Sequence, residues 1–385
     1  MFKKTSAFLT MCALGAMIGC ASGGGQDAAG DYGGGGVVKD ERGFDKQLGP
    51  AEIAYQSAQQ FLAGGNYTDA ISQLRNAVSI KPTYLEAWSD LGSTLAKMKD
   101  FEGSTAAYEK ALALKPDNDA LIQSIAYNYL NLEDYNKAEQ YYAKLLEKDP
   151  ASYDGNVHLG FIYQKKQNTE RAIEYYEKAL LAQPNDATTL GTLAGLYDKL
   201  GNEDRKIEYL TRASVAAPDV YKYKTQLGSA YMKRRDFANA LPIFEDLTRT
   251  YPDQAAYWQN LGLVLSQIPE RKKEAPAALE KALELKGDDP YICGILAQVN
   301  NDLGDHQKAI SLVKRGLDAK AGQEPLLYYQ WGAALSKLGA YDESIAMFEK
   351  VVATKDLQWT DSASKQIDRQ IALKKREELK KQQRQ

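Results

Sequence analysis

Apolar and small residues return along this chain with a period of 34. In each period two stretches space their apolar side chains three and four apart, which gathers them on one face of a helix. A polar turn separates the two stretches, and a proline closes the second. One period carries Trp88, Leu91, Gly92 and Leu95, then Tyr108, Ala111 and Pro116; another carries Leu159, Gly160 and Tyr163, then Ala172, Tyr176, Ala179 and Pro184. Pro82, Pro116, Pro150, Pro184, Pro218 and Pro252 stand 34 residues apart, as do Tyr129, Tyr163, Tyr197 and Tyr231. Gly92, Gly160, Ala111 and Ala179 remove bulk where two helices must approach, and Leu91, Tyr108, Leu159 and Tyr176 fill the remaining space. Proline lacks an N–H and restricts the residue before it, so it stops the second helix and resets the chain. One such hairpin cannot bury its own apolar face, but a stack of them can.

This grammar of Trp, Leu-Gly, Tyr, Ala, an aromatic, Ala and Pro resembles the tetratricopeptide repeat, or TPR. Regular hairpins are expected at 51–84, 85–118, 119–152, 153–186, 187–220 and 221–254. A seventh, 255–289, has an extra residue and a turn at Ile268-Pro269-Glu270-Arg271; an eighth, 290–324, ends at Gly322 and Pro325; a ninth spans 325–358. Pro242 and Pro276 are placed near the starts of second helices, where a missing N–H is tolerated. The resemblance implies an all-α fold, a right-handed α-solenoid of about nine TPR hairpins over 51–358. Residues 359–385 are read as a capping helix in which Ile367, Ile371 and Leu379 pack on the ninth hairpin.

The fifth hairpin departs from its neighbours. Lys206 takes the place held by Ala172 and Ala240, and Gly191 and Gly195 lie four apart on one helix face. A tolerated irregularity, a soft joint and a groove floor are the readings open at this point.

Before residue 50 the composition changes. Lys3 and Lys4 precede a 12-residue apolar to weakly polar run, Ala7 to Ile18, too short to span a bilayer comfortably. Met17-Ile18-Gly19-Cys20 follows and resembles a bacterial lipoprotein signal. That resemblance implies removal of residues 1–19 and acylation of Cys20, with several chains giving stable anchoring. The absence of Asp at position 21 favours the outer membrane, with the chain facing the periplasm. Plain secretion is the alternative. Residues 20–50, with Gly23-Gly24-Gly25 and Gly33 to Gly36, read as a tether with a reach of about 30 Å. No strand precedes these glycines and no Lys-Ser/Thr follows, so they are not a phosphate loop.

Net charge is −3, which argues against a generic nucleic-acid binder. From 365 onward eight Lys/Arg face three Asp/Glu, a net of +5 that leaves −8 for the rest. A solvated capping face explains this, and contact with acidic partners or lipid headgroups is the alternative. Cys293 reads as a buried hydrophobe. His158 and His306 belong to no metal-binding spacing, and Asp117-Asn118-Asp119 and Asp288-Asp289 lack the Gly and Glu of a calcium loop. No catalytic set, metal site or cofactor is expected.

In the TPR family first helices line a concave face that holds partners. Carried onto the matching positions, the resemblance places there Tyr55, Gln59, Ser89, Ser93, Gln123, Tyr127, Val157, Phe161, Gly191 and Gly195, then Lys222, Thr225, Gln259 and Leu263. Tyr127 and Phe161 stand out as aromatic anchors. The Lys/Asn/Arg clamp of one subtype is not expected, because Tyr55 and Gln59 hold its first places. The implied function is a lipid-anchored, non-enzymatic adaptor that binds protein or peptide partners, in plan like the TPR lipoproteins that assist secretin or pilus assembly. A cell-wall or carbohydrate binder is the alternative.

Overall fold

In the computed structural model residues 37–39, 45–319 and 324–383 are described. The expected signal peptide, Cys20 and Gly322 lie outside them. Within the stretch read as tether, β1 (Val37–Lys39) and β2 (Asp45–Gln47) pair antiparallel, with Val37 opposite Gln47.

The chain divides into two compact units, one ending at Pro116 and one beginning at Asp117. The first holds β1, β2 and two helical hairpins, α1 (Pro50–Ala63) with α2 (Tyr67–Ile80) and α3 (Leu85–Lys97) with α4 (Phe101–Leu114). Its core joins Ala54, Ala58 and Leu74 to Leu91 and Leu95.

The second unit continues the pattern. Hairpins three to six are α5 (Asp119–Asn131) with α6 (Tyr135–Lys148), α7 (Tyr153–Lys165) with α8 (Thr169–Ala182), α9 (Ala187–Lys199) with α10 (Glu203–Ala216), and α11 (Tyr221–Lys233) with α12 (Phe237–Thr250). The seventh is α13 (Ala255–Gln267), a 3-10 turn at Lys272–Glu274, and α14 (Ala275–Lys286). Then come α15 (Pro290–Leu303) with α16 (His306–Asp318), α17 (Glu324–Lys337) with α18 (Tyr341–Ala353), and the last helix, α19 (Thr360–Gln382). Within this unit each helix packs on its neighbour in sequence, and α15 also touches α13 and α17. First helices therefore lie side by side.

Two local devices repeat. Asn66, Asp100, Asp134, Asn168, Asn202 and Asp236, 34 residues apart, each cap a second helix by accepting the N–H three residues on. Such a cap stabilises a helix by about 1 kcal/mol over alanine. The residue before each cap is left-handed: Gly65, Lys99, Glu133, Gln167, Gly201 and Arg235 all have φ between 58° and 72°. The second device joins the two helices. A Cβ on Gly92, Gly160, Gly228 or Gly332 would come within 2.7–3.0 Å of the ring of Tyr108, Tyr176, Phe244 or Phe348, respectively. Each glycine gives its volume to an aromatic ring sixteen residues on. The closing prolines are read from the next helix. Trp88 and Trp258 donate Nε1–H to the carbonyls of Pro82 and Pro252, and Asn156 donates to that of Pro150.

Two expectations need correction. Pro242 is the sixth residue of α12, past the first turn, so it forfeits one helix hydrogen bond. In α19 only Ile367 of the three apolar residues packs on the ninth hairpin; Ile371 and Leu379 are exposed. The docked face is instead Ala363, Ile367 and Gln370, with Gln370 accepting from Ser336 at 2.7 Å.

Candidate partner-binding surface

In the first unit the residues named from sequence are committed to one another. Tyr55 O–H and Gln59 Nε2 both donate to Asp90 Oδ2, at 2.7 and 2.6 Å. Burial and this carboxylate push the Tyr55 phenol well above its usual range. Ser89 Oγ turns back onto the Leu85 carbonyl. Tyr55 and Gln59 thus tie α1 to α3 through an acid.

In the second unit the named residues form two rows, one helical turn apart. The upper row is Gln123, Val157, Gly191, Thr225 and Gln259. Parts of it are covered by the start of the next first helix. A Cβ on Gly191 would meet the Tyr223 ring at 2.5 Å, and Thr225 Oγ1 lies 3.4 Å from the Tyr257 hydroxyl. Val157 is half-buried against the core around Leu190 and Leu193. Gly191 is therefore no groove floor: its space is already filled by Tyr223.

The lower row stays open. Tyr127 is 37% exposed. Phe161 is half-buried, with the Lys165 ammonium 5.3 Å from its ring centre. Gly195 has no atom within 4 Å of where a Cβ would stand. Ser229 is exposed and Leu263 half-buried. Lys222 is exposed, outside both rows.

Where the lower row reaches Leu263, the surface deepens into a pocket of about 210 Å³. Ser266 and Gln267 continue it on α13, Tyr291, Ile295 and Gln298 line it from α15, and Leu326 closes it from α17. Gln358 and Trp359 reach it from the turn before α19. Trp359 is held by Tyr329, with ring centres 5.1 Å apart. Asp302 at the rim is neutralised by Lys272 at 2.8 Å. The side-chain amides of Gln298 and Gln358 make no hydrogen bond among the described residues. Of these residues, sequence reasoning had named only Leu263. The row was legible one step further, because the extra residue of the seventh hairpin moves the next position from 297 to Gln298. The return of Trp359 onto α15 had no sequence signal, since it depends on where α19 docks.

His158, Cys293 and Lys206, singled out in the sequence, each have a packed or paired setting. His158 stacks on Tyr142 at 4.6 Å and its Nδ1 faces the Asp154 carbonyl; burial lowers its pKa. Cys293 is buried, and desolvation pushes its thiol up to about 11. Lys206, the irregular residue of hairpin five, lies between Asp198 at 2.8 Å and Glu203 at 3.4 Å. Among the described residues no His, Cys, Asp and Glu cluster fits a metal ion, and no helix is long and apolar enough to cross a membrane.

Comparison with known proteins finds TPR families along the chain. Residues 57–190 match the family described as "Cytochrome c-type biogenesis protein H TPR domain", and residues 225–290 and 326–355 match tetratricopeptide repeats. The Hsp70-Hsp90 organizing protein of Triticum aestivum is 35% identical over 81 residues, which is 20% of this chain and 14% of that protein. The chain thus spans about a seventh of that relative. A tetratricopeptide repeat protein from Parabacteroides merdae is 19% identical, with 65% of this chain and 98% of that one covered at a TM-score of 0.43. The C-terminal part of a TPR repeat-containing protein from Cytophaga hutchinsonii is 18% identical, with 60% and 95% covered at 0.49.

Proposed function

The chain carries tetratricopeptide repeats, and on that premise we propose that it is an adaptor that holds protein partners along the open row of its first helices. The observation that carries this reading is the contrast between the rows: the upper one is partly covered, Gly191 by Tyr223 and Thr225 by Tyr257, while Tyr127, Phe161 and Leu263 remain for a visitor. Tyr127, exposed, and Phe161, half-buried one repeat on, suit the anchor-and-rim pattern of protein interfaces. The partial match to a TPR domain named for cytochrome c-type biogenesis supports an assembly role. In this reading the protein is anchored by acyl chains on Cys20 and faces the periplasm from the outer membrane, supported by Lys3, Lys4, the apolar run, Gly19-Cys20 and Ala21.

A photoreactive residue at 161 or 127 tests the adaptor reading in cells. Adducts with a defined protein are expected from these positions and not from the covered position 191. Equal yields from all three would sink it. Acyl labelling that persists in Cys20→Ser would sink the anchoring.

One observation favours a second reading, binding of cell-wall glycan. The pocket brings two aromatic residues, Tyr291 and Trp359, to two uncommitted amides, Gln298 and Gln358. Co-sedimentation with isolated peptidoglycan that is lost in Trp359→Ala, with no protein adduct at 161, would put this reading first.

A further inference from the structure

The last helix has two faces of opposite character. Ala363, Ile367, Gln370 and Lys374 point into the ninth hairpin, where Lys374 pairs with Asp342 at 2.6 Å. Lys365, Arg369, Arg376 and Lys380 fall on the other side, within about 60° of arc at 100° per residue. All four are exposed, as is Ala372 between them. They run along about 22 Å of helix at 1.5 Å per residue. Lys365 pairs with Asp361 within the same helix, whereas Arg369, Arg376 and Lys380 make no ion pair among the described residues. Asp368 stands at the rim of the row. The fold does not use these charges, since they face away from everything α19 packs on.

From this placement we propose that the outward row of α19 is an electrostatic contact surface for anionic phospholipid headgroups. A stable protein contact needs an apolar centre with packed anchors; the exposed apolar residues beside this row, Ala372 at its middle and Leu379 near its C-terminal end, are separated by about 10 Å of helix and do not make one. A lipid surface needs no such centre, because it attracts closely spaced cations through its surface potential. The row supplies a straight file of cations on a rigid support. This goes beyond the adaptor reading and stands without it.

The test is co-sedimentation of the full chain with vesicles of zwitterionic phospholipid, with and without phosphatidylglycerol. The parent should partition onto the anionic vesicles and be released by salt, because such attraction decays within a Debye length. Arg369→Gln/Arg376→Gln/Lys380→Gln should weaken partition roughly a hundredfold, from the known increment per cation. The control Lys110→Gln/Lys199→Gln/Lys273→Gln removes the same net charge from exposed sites elsewhere and should keep most of the binding. Arg369→Lys/Arg376→Lys keeps the charge and should bind like the parent, which separates loss of charge from loss of fold. Equal losses in the two triple variants, or no loss in the first, would overturn the proposal. Retention on an anionic polypeptide matrix without vesicle binding would also overturn it and assign the row to an acidic protein.

Discussion

Hairpins four and five have helices of the same lengths and turns of the same shape, yet they hold their helices together differently. In hairpin four Gly160 admits the ring of Tyr176; in hairpin five the same places hold Ala194 and Leu210, both buried. Hairpin four buries Ala172, where hairpin five places the aliphatic stem of Lys206 and ties its ammonium to two carboxylates. What they share is the turn, with Asn168 or Asn202 as cap and a left-handed residue before it. Register is thus set by turn chemistry and volume by the pair across the hairpin. The two can vary separately. The family matches pause from 191 to 224, across most of hairpin five.

Exchanging the packing pair tests this most severely. Gly160→Ala would put a methyl 2.9 Å from the Tyr176 ring and should cost roughly 1–3 kcal/mol by overpacking. Adding Tyr176→Leu copies the pair of hairpin five and should recover most of that loss. Urea unfolding and hydrogen exchange over residues 153–182 measure both. A double variant no better than the sum of the single changes would show that the pairs are not interchangeable.

The charged place comes next. Lys206→Met should cost about 1–2 kcal/mol, since it strips two carboxylates of a partner in a half-solvated setting. The hydrogen bond from Lys206 holds Asp198 below its ordinary 3.8, and that from Lys233, with Lys206 beside it, holds Glu203 below 4.5. Groups with depressed pKa values stabilise the fold fully above their ordinary values and lose that contribution as pH falls through the depressed ones. Hairpin five should therefore lose exchange protection below about pH 4.5, and Lys206→Met should flatten the Asp198 part of that loss. Identical acid profiles in parent and variant would break the link.

The smallest effect lies in the turn. Gln167 holds φ 60° at the cost of a Cβ clash, where hairpin five uses Gly201 at φ 70°. Gln167→Gly should stabilise by about 0.5–1 kcal/mol after the entropy of the unfolded chain is counted, and Gly201→Gln should lose a similar amount. Opposite shifts in thermal midpoint are the expected readout.

Much of the fold could be read from the chain because each repeat obeys its own local rules. Pro82 through Pro252 marked where second helices end, and the Gly/aromatic pairs marked where helices meet. The left-handed turns were hidden, since Lys99, Glu133, Gln167 and Arg235 carry no glycine signal. The surface was less legible. Spacing put Gly191 and Gly195 on one face, but only the position of Tyr223 shows that one is filled and the other open. Trp359 joins the pocket through the docking of α19, a contact between segments far apart in sequence.

The caps have a consequence for length. Asn168 and Asn202 are the same residue in the same role, one repeat apart. A chain cut after Asn168 and rejoined at Glu203 would keep an intact cap and a left-handed residue before it. The molecule can thus lose or gain a whole hairpin at one splice without inventing a new joint. The length of the repeat stack is adjustable in fixed steps.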